Sequence, residues 1–130
     1  MLTDPIADML TRIRNAMKAV HRHVEIPASQ IKKEITKVLF EEGYIGNYKI
    51  TEDKKQGKIL ITLKYINNES PIHDIKRVSK PSRRIYVNHE EIPLVKRGFG
   101  IAVLSTSKGI MSDGEARKQH VGGELLLEIW

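Results

Sequence analysis

The spacing of apolar residues changes at one point in this chain, the polar segment "NNESP" at residues 67–71. Before it, two stretches with helical apolar spacing alternate with short strand-like runs, which predicts the order α-β-α-β-β. After it, short apolar runs separated by turn residues predict a mainly β region. The sequence therefore predicts an α+β protein of two small lobes, an N-terminal α/β domain at 1–66 and a C-terminal, mainly β domain with short helices at 67–130.

Local start and end signals place the elements of the N-terminal half. Asp4 before Pro5 is typical of a helix start, and apolar residues then recur at helical spacing through "IADMLTRIRNAMKAV". A short strand is predicted at "HVEIP", and Ser29 is suited to cap a second helix that Gly43 would end. Two further runs, "YIGNYKI" and "KILITLKYI", flank "TEDKKQG", whose composition is typical of a hairpin turn.

The C-terminal half contains four strand-like runs, "IKRVS", "RIYVN", "GIAVLST" and "ELLLEIW". A short helical turn is predicted between Ile92 and Arg97. Ser112 and Glu115 form a capping-box pair, which predicts a third helix in "SDGEARKQHV" that Gly122 is expected to end.

The charge of the chain favours a polyanionic partner. Lys and Arg total 22 against 16 Asp and Glu in 130 residues, which gives a formal net charge of +6 and a pI near 9.6. The densest basic stretch lies at 76–97, with seven basic and two acidic residues. The chain has no cysteine, which excludes disulfides and thiolate metal sites and fits a reducing compartment. Because the sequence has no signal-peptide pattern and no apolar run near the roughly 18 residues of a membrane span, we expect a cytoplasmic protein.

The segment "LSTSKG" at residues 104–109 is the strongest catalytic candidate. Ser105 and Lys108 satisfy the S-x-x-K spacing of one class of acyl-transfer enzymes, which requires a helix. Here a β-type run precedes the motif and Gly109 follows it, so a turn is predicted, and the companion motifs S-D-N and K-T-G are missing. A Walker-type phosphate loop is excluded because the lysine precedes its glycine. No catalytic residue is predicted, and we do not expect an enzyme.

His21 and His23 form an H-x-H pair, a spacing that zinc ligands sometimes have. The other three histidines are scattered, and nothing nearby completes a coordination shell. The sequence therefore predicts neither a metal site nor another cofactor.

The basic segment "IKRVSKPSRRIYVN" is the best candidate for a binding surface. Its cations attract phosphate, its hydroxyls suit the shallow minor groove of RNA, and Tyr86 can stack on an unpaired base. The seven aromatic rings of the chain are too few for a platform of several stacked rings. Two alternatives stay open at this point: an adaptor for acidic proteins, and a double-stranded RNA binder with little sequence preference.

Three segments resemble one known family. "GIAVLSTSKGIMSDGEARKQHVGGELLLEIW" is similar to the C-terminal signature of small-subunit ribosomal protein number eight of the bacterial type. "DPIADMLTRIRNA" and "VSKPSRRIYV" resemble other segments of the same family in the same order, so the resemblance covers essentially the whole chain. It implies an N-terminal α-β-α-β-β lobe, a C-terminal lobe built on a small antiparallel sheet, and no catalysis.

The resemblance also implies a function. It implies primary binding to the central domain of small-subunit rRNA of the 16S type, where the protein nucleates assembly of the platform. It further implies that many members bind a mimic of that site in their own operon's messenger and repress translation. The implied protein neighbours are small-subunit ribosomal proteins five and twelve, with the protein itself a monomer within the cytoplasmic ribosome.

The resemblance implies RNA contacts in both lobes. The serine and threonine hydroxyls of "STSKG" would contact a distorted RNA helix. The two glycines of "VGGE" would let the protein backbone approach the RNA closely. Glu124 would accept hydrogen bonds from base amino groups and so contribute to sequence specificity. The candidates in the C-terminal lobe are Tyr86, Ser105, Thr106, Ser107, Lys108, Gly109, Gly122, Gly123, Glu124, Lys80, Arg83 and Arg84. The candidates in the N-terminal lobe are Asp4, Arg12, Arg14, Asn15, Lys54 and Lys55. For this second set, an ordinary solvated basic face is the alternative.

Overall fold

The computed structural model describes residues 3–130, a range that contains three α-helices, eight β-strands and one 3-10 turn. In chain order these are α1 (Pro5–Lys18), β1 (His23–Pro27), α2 (Gln30–Glu41), β2 (Asn47–Thr51), β3 (Lys58–Thr62), β4 (Ile75–Arg77), β5 (Tyr86–Val87), the 3-10 turn (Val95–Gly98), β6 (Ile101–Thr106), β7 (Gly109–Ser112), α3 (Asp113–Gln119) and β8 (Gly123–Ile129). The predicted α+β class is confirmed. None of the helices in this range is long and apolar enough to cross a membrane.

The chain forms two compact units. The N-terminal unit is Asp8–Ile72, and the C-terminal unit combines residues 3–7 with His73–Trp130. The boundary between these units lies a few residues after the predicted junction of domains 1–66 and 67–130. That division into functional domains stays a prediction.

The N-terminal unit is built on an antiparallel sheet with the strand order β1-β3-β2. Ile59 of β3 pairs with Ile26 of β1 on one side and with Ile50 of β2 on the other. Residues at alternate positions of a strand share a face, and Ile59 and Ile61 are both fully buried. The predicted helix and strand order of this half is confirmed.

Side-chain caps start the helices at the predicted positions. Asp4 Oδ1 accepts a hydrogen bond from the amide of Ala7 at 3.1 Å, at the beginning of α1. Ser29 Oγ accepts from the amide of Lys32 at 3.3 Å, at the beginning of α2. Each cap satisfies an amide that has no partner within the helix.

The C-terminal unit contains a five-stranded antiparallel sheet with the order β4-β8-β6-β7, and β5 also pairs with β8. One face of this sheet packs on a buried apolar cluster that includes residues of β6, β7, β8 and α3. The cluster consists of Ile92, Val95, Ala102, Leu104, Met111, Ala116 and Leu125. Strand β7, which returns directly from β6, is not among the predicted strands.

The predicted end of the third helix is wrong. Helix α3 ends at Gln119, and His120 adopts the left-handed conformation with φ 55° and ψ 44°. A Cβ on Gly122 would overlap the carbonyl oxygen of Val87. This glycine is therefore required by the close packing of the chain against β5, whereas His120 takes the capping conformation that usually falls to glycine.

Candidate RNA interface

Three of the predicted residues lie side by side on neighbouring strands of the C-terminal unit. Glu124 of β8 pairs with Tyr86 of β5 on one side and with Ser105 of β6 on the other. Directly paired residues point to the same face of a sheet, with their Cβ atoms about 5 Å apart. The structure thus assembles Tyr86, Glu124 and Ser105, from three separate segments of the sequence, into one polar row.

Tyr86 is the exposed end of the polar row. Its exposed fraction is 67%, in contrast to the buried apolar residues on the other face of the sheet. A ring this exposed contributes little to the packing of the fold and presents a flat surface on which a base can stack.

The turn between β6 and β7 follows directly after Ser105. Thr106 Oγ1 donates to the carbonyl oxygen of Gly109 at 2.8 Å and accepts from the amide of Lys108 at 3.1 Å. Gly109 has φ +112°, which favours glycine. Thr106 therefore closes the turn, while the side chains of Ser107 and Lys108 are exposed. The turn predicted for this segment is confirmed, and the helix that S-x-x-K chemistry requires is not formed.

Glu124 is held by two donors within the C-terminal unit. Its Oε2 accepts from Ser79 Oγ at 2.5 Å and from Arg84 Nη1 at 2.8 Å. The Glu124 side chain is 14% exposed and that of Arg84 is 52% exposed. Both bonds fall on Oε2, so neither of them occupies the lone pairs of Oε1.

These contacts determine the ionisation of the pair. Burial raises the pKa of Glu124, but hydrogen bonds from Ser79 and Arg84, together with the charges of Arg84 and Arg77, outweigh it and place the pKa below its ordinary value of 4.5. The hydrogen bond to Glu124 in turn raises the pKa of Arg84. Glu124 is therefore a carboxylate at neutral pH, with a guanidinium beside it.

Lys80 and Arg83 frame a tight turn immediately before Arg84. The amide of Lys80 donates to the carbonyl of Arg83 at 3.0 Å, and the amide of Arg83 donates back at 2.9 Å. All three cations are exposed. We call the segment that contains these three cations the basic turn. Because Arg84 contacts Glu124, the basic turn lies next to the polar row.

Gly122 and Gly123 are needed for packing inside the protein. A Cβ on Gly123 would overlap the carbonyl oxygen of Ser105, just as one on Gly122 would overlap that of Val87. Both obstacles are backbone atoms, which cannot rotate away as a side chain can. At these two glycines, the structure shows a close approach of protein backbone. An approach of RNA to them stays a prediction.

Asp4 differs from the other N-terminal candidates, because it belongs to the C-terminal unit. There its Oδ2 lies 3.1 Å from Nε of Arg77, whose side chain is only 9% exposed. The Arg77 guanidinium also donates to the carbonyl of Leu126 at 2.6 Å. The carboxylate of Asp4 therefore caps α1 and neutralises a nearly buried cation.

The other N-terminal candidates belong to the N-terminal unit. Arg12 and Lys55 line one groove, and Arg12 and Asn15 line another that shares Arg12 with it. Arg12 Nε also lies 3.2 Å from Asp8 Oδ2, a contact between exposed side chains. Arg14 is half-buried and Lys54 is exposed. The structure thus places Lys55 beside Arg12 in one groove and Asn15 beside Arg12 in the other.

The hairpin turn that contains Lys54 and Lys55 is held by Asp53. Its Oδ1 accepts from the amides of Lys55, Gln56 and Gly57 at 2.8, 2.9 and 3.0 Å. These backbone hydrogen bonds lower the pKa of Asp53. The carboxylate therefore fixes the turn that presents the two lysines.

Among residues 3–130, no group of three or more His, Asp or Glu side chains is placed so that it could hold a metal ion. In the H-x-H pair, His23 Nδ1 instead lies 3.3 Å from Thr62 Oγ1.

Ser79 was not predicted from the sequence. This serine is fully buried, and its Oγ accepts from the amide of Ile85 at 3.0 Å in addition to donating to Glu124. It stands inside the predicted basic segment, but its partner Glu124 lies 45 residues away in the sequence. No local pattern connects two residues at that separation.

The chain is similar in sequence to known proteins over nearly its whole length. The sequence profile of the family Ribosomal protein S8 matches residues 4–130. Small ribosomal subunit protein uS8 of Desulforudis audaxviator is 58% identical to the chain, and that of Finegoldia magna is 55% identical, each over 131 residues and the full length of both proteins. The uS8 protein of Caldicellulosiruptor bescii is 57% identical over 128 residues, which are 98% of this chain and 97% of the relative.

The chain belongs to the ribosomal protein S8 family. It is a structural protein of the small ribosomal subunit, in a family where rRNA binding is general and enzymatic activity is absent, and its place is the cytoplasmic ribosome.

Proposed function

We propose that this protein binds the central domain of small-subunit rRNA as a primary binding protein and helps assemble the platform of the subunit. The observation that carries this proposal is the polar row of Tyr86, Glu124 and Ser105, flanked by the β6–β7 turn and the basic turn. It combines three kinds of contact that proteins use in specific RNA recognition: a stacking ring, groups that pair with base edges, and phosphate-attracting cations.

The groups of this surface have different roles. Lys80, Arg83 and Lys108 are exposed cations that attract phosphate without regard to sequence. Ser107 is an exposed hydroxyl that can reach sugar hydroxyls and base edges. Glu124 repels phosphate and gains from RNA only where Oε1 accepts from a base amino group, so it favours particular sequences.

The groove residues Arg12, Asn15 and Lys55 form a second RNA contact in the N-terminal unit. Two of them are cations and the third is an amide, which suits phosphate and sugar contacts rather than base recognition. Their loss is expected to weaken binding to all RNA sequences alike.

A binding titration tests the main proposal. The protein is titrated with a hairpin from the rRNA central domain and with a scrambled duplex of equal length, at about physiological ionic strength. We expect a strong preference for the hairpin. Equal, salt-sensitive affinity for both would leave a basic protein without specific recognition, and would contradict the proposal.

A matched pair of lysine variants locates the surface. Lys108→Ala removes a cation from the β6–β7 turn, and Lys118→Ala removes an exposed one from α3, which packs on the opposite face of the sheet. We expect only Lys108→Ala to weaken hairpin binding, by about three- to tenfold for one phosphate contact. Equal effects of both variants would mean that RNA does not bind at the polar row.

Two further partners belong to the same proposal. Binding to a mimic of the rRNA site in the operon's own messenger requires the same groups, so the messenger and the rRNA hairpin must compete for one site. Contact with small-subunit ribosomal proteins five and twelve is tested by cross-linking in the assembled subunit, where the absence of cross-links to either protein would contradict it.

A further inference from the structure

We infer that Ser79 is a positioning residue for RNA recognition, which acts through Glu124 and Arg84 although it is itself buried. The effect of Ser79 on RNA affinity rests on the proposed function. Ser79 is 0% exposed, so its hydroxyl has no access to a ligand on the surface of the unit.

The hydroxyl of Ser79 lies at the junction of three elements. It donates to Glu124 Oε2 at 2.5 Å and accepts from the amide of Ile85, the residue before β5, at 3.0 Å. Its own amide donates to the carbonyl of Leu125 on β8 at 3.0 Å. A single buried serine thus connects the segment after β4, the start of β5 and the residue at the centre of the polar row.

The bond from Ser79 fixes the orientation of the Glu124 carboxylate. Oε2 accepts from both Ser79 and Arg84, so the carboxylate is anchored from inside the protein on that oxygen. Oε1 is then the oxygen left for a donor from outside. Because the two oxygens of a carboxylate are equivalent, the anchor fixes the orientation of the group: one oxygen is held inward, and the other is left to accept from outside although only 14% of the side chain is exposed.

The same anchor positions Arg84. Its Nη1 lies 2.8 Å from Glu124 Oε2, while half of its side chain is exposed. An exposed arginine loses conformational freedom when it binds phosphate, and a partner that already restrains it reduces that loss. Ser79 therefore organises an acceptor and a cation beside Tyr86 before RNA arrives.

The test compares Ser79→Ala with Ser112→Ala in the full-length protein. Ser112 is also a buried serine of the C-terminal unit, but its Oγ caps α3 and has no contact with Glu124. We expect Ser79→Ala to weaken hairpin binding about tenfold, the ratio typical of one lost hydrogen bond to a charged group, and Ser112→Ala to change it less than twofold. Similar losses in both folded variants would mean that Ser79 is merely structural.

A double-mutant cycle tests the route of the effect. If Ser79 acts through the carboxylate, then adding Ser79→Ala to Glu124→Gln changes hairpin affinity less than twofold. A full tenfold loss in that background would overturn the inference. Ser79→Thr, which keeps the hydroxyl, is expected to restore most of the affinity.

A measurement on the free protein separates this inference from the proposed function. Carboxyl ¹³C NMR follows the titration of Glu124 without RNA, and Ser79→Ala is expected to raise its pKa because one stabilising hydrogen bond to the carboxylate is lost. An unchanged pKa would contradict the positioning role. If the pKa rises while the wild-type protein shows no preference for the hairpin, the inferred anchor stands and the proposed function fails.

Discussion

The same substitution, glycine to alanine, is expected to have opposite effects at two positions of the C-terminal unit. At Gly123 a Cβ would overlap the carbonyl oxygen of Ser105, a backbone atom on β6. At Gly114, on the exposed side of α3, the nearest heavy atom to a Cβ is Ser112 Oγ at 4.0 Å. One alanine therefore has to separate two paired strands, whereas the other occupies open space.

These distances set the expected magnitudes. Overpacking lowers the free energy of unfolding by about 1–3 kcal/mol where side chains can adjust. Because backbone must move to accommodate Gly123→Ala, we expect this variant to lose about 3 kcal/mol or more. Gly114→Ala removes the extra flexibility of glycine from a helix and is expected to stabilise by about 0.5–1 kcal/mol. For a chain of this size, 1 kcal/mol corresponds to roughly 3–6 °C in Tm.

Urea unfolding followed by tryptophan fluorescence measures both effects. Trp130 is the single tryptophan of the chain and packs against the apolar cluster of the C-terminal unit, so its emission reports on that unit. Gly123→Ala should lower the midpoint and Gly114→Ala should raise it. A wild-type midpoint for Gly123→Ala would refute the close pairing of β6 and β8 at this position.

Three other predictions follow from the contacts. Asp113→Ala removes a carboxylate that is 4% exposed and accepts from the amide of Ala102 at 3.1 Å. We expect it to lower the free energy of unfolding by about 2–4 kcal/mol in the same urea assay, and a loss below about 1 kcal/mol would contradict this. Because the pKa of Asp53 is lowered by its bonds to backbone amides, its contribution is complete above the unfolded value near 3.8 and is lost as the pH falls through the lower folded pKa. The protection of the Gly57 amide, measured as its exchange rate relative to an unstructured peptide at the same pH, should fall over that range in the wild type and should be low throughout in Asp53→Ala; wild-type protection that does not change with pH would contradict this. Replacing the three cations of the basic turn by alanine should reduce the slope of log affinity against log salt by roughly 2–3, and an unchanged slope would remove them from the interface. Those cations are Lys80, Arg83 and Arg84.

The parts of the fold that were predictable depend on neighbours in the sequence. Asp4, Ser29 and Ser112 each accept from an amide three residues later, and Ser112 Oγ lies 3.3 Å from the amide of Glu115. Such caps use the same few atoms in any protein, so composition at fixed offsets identifies them. The N-terminal hairpin was predictable for the same reason.

The parts that were not predictable depend on distant partners or on exceptions to residue preferences. Ser79 is an unremarkable polar residue until the fold brings Glu124 to it across 45 positions. His120 occupies a left-handed position where glycine is usual, so the prediction placed the helix end at the nearby Gly122. The RNA contacts themselves remain predictions from the resemblance, and the structure adds to them the register that gathers three of the residues in one row.

The pairing of Asp4 with Arg77 bears on how the chain folds while it is being made. The two residues are 73 positions apart, yet both belong to the C-terminal unit. At synthesis rates of about 5–20 residues per second, Asp4 is made roughly 4–15 s before its partner. Until then the carboxylate can cap α1 but has no guanidinium to neutralise. Arg77 in turn lacks its second acceptor, the carbonyl of Leu126, until that residue has also been synthesised. A chain that lacks either Asp4 or the segment with Leu126 therefore leaves a nearly buried arginine without its full set of partners.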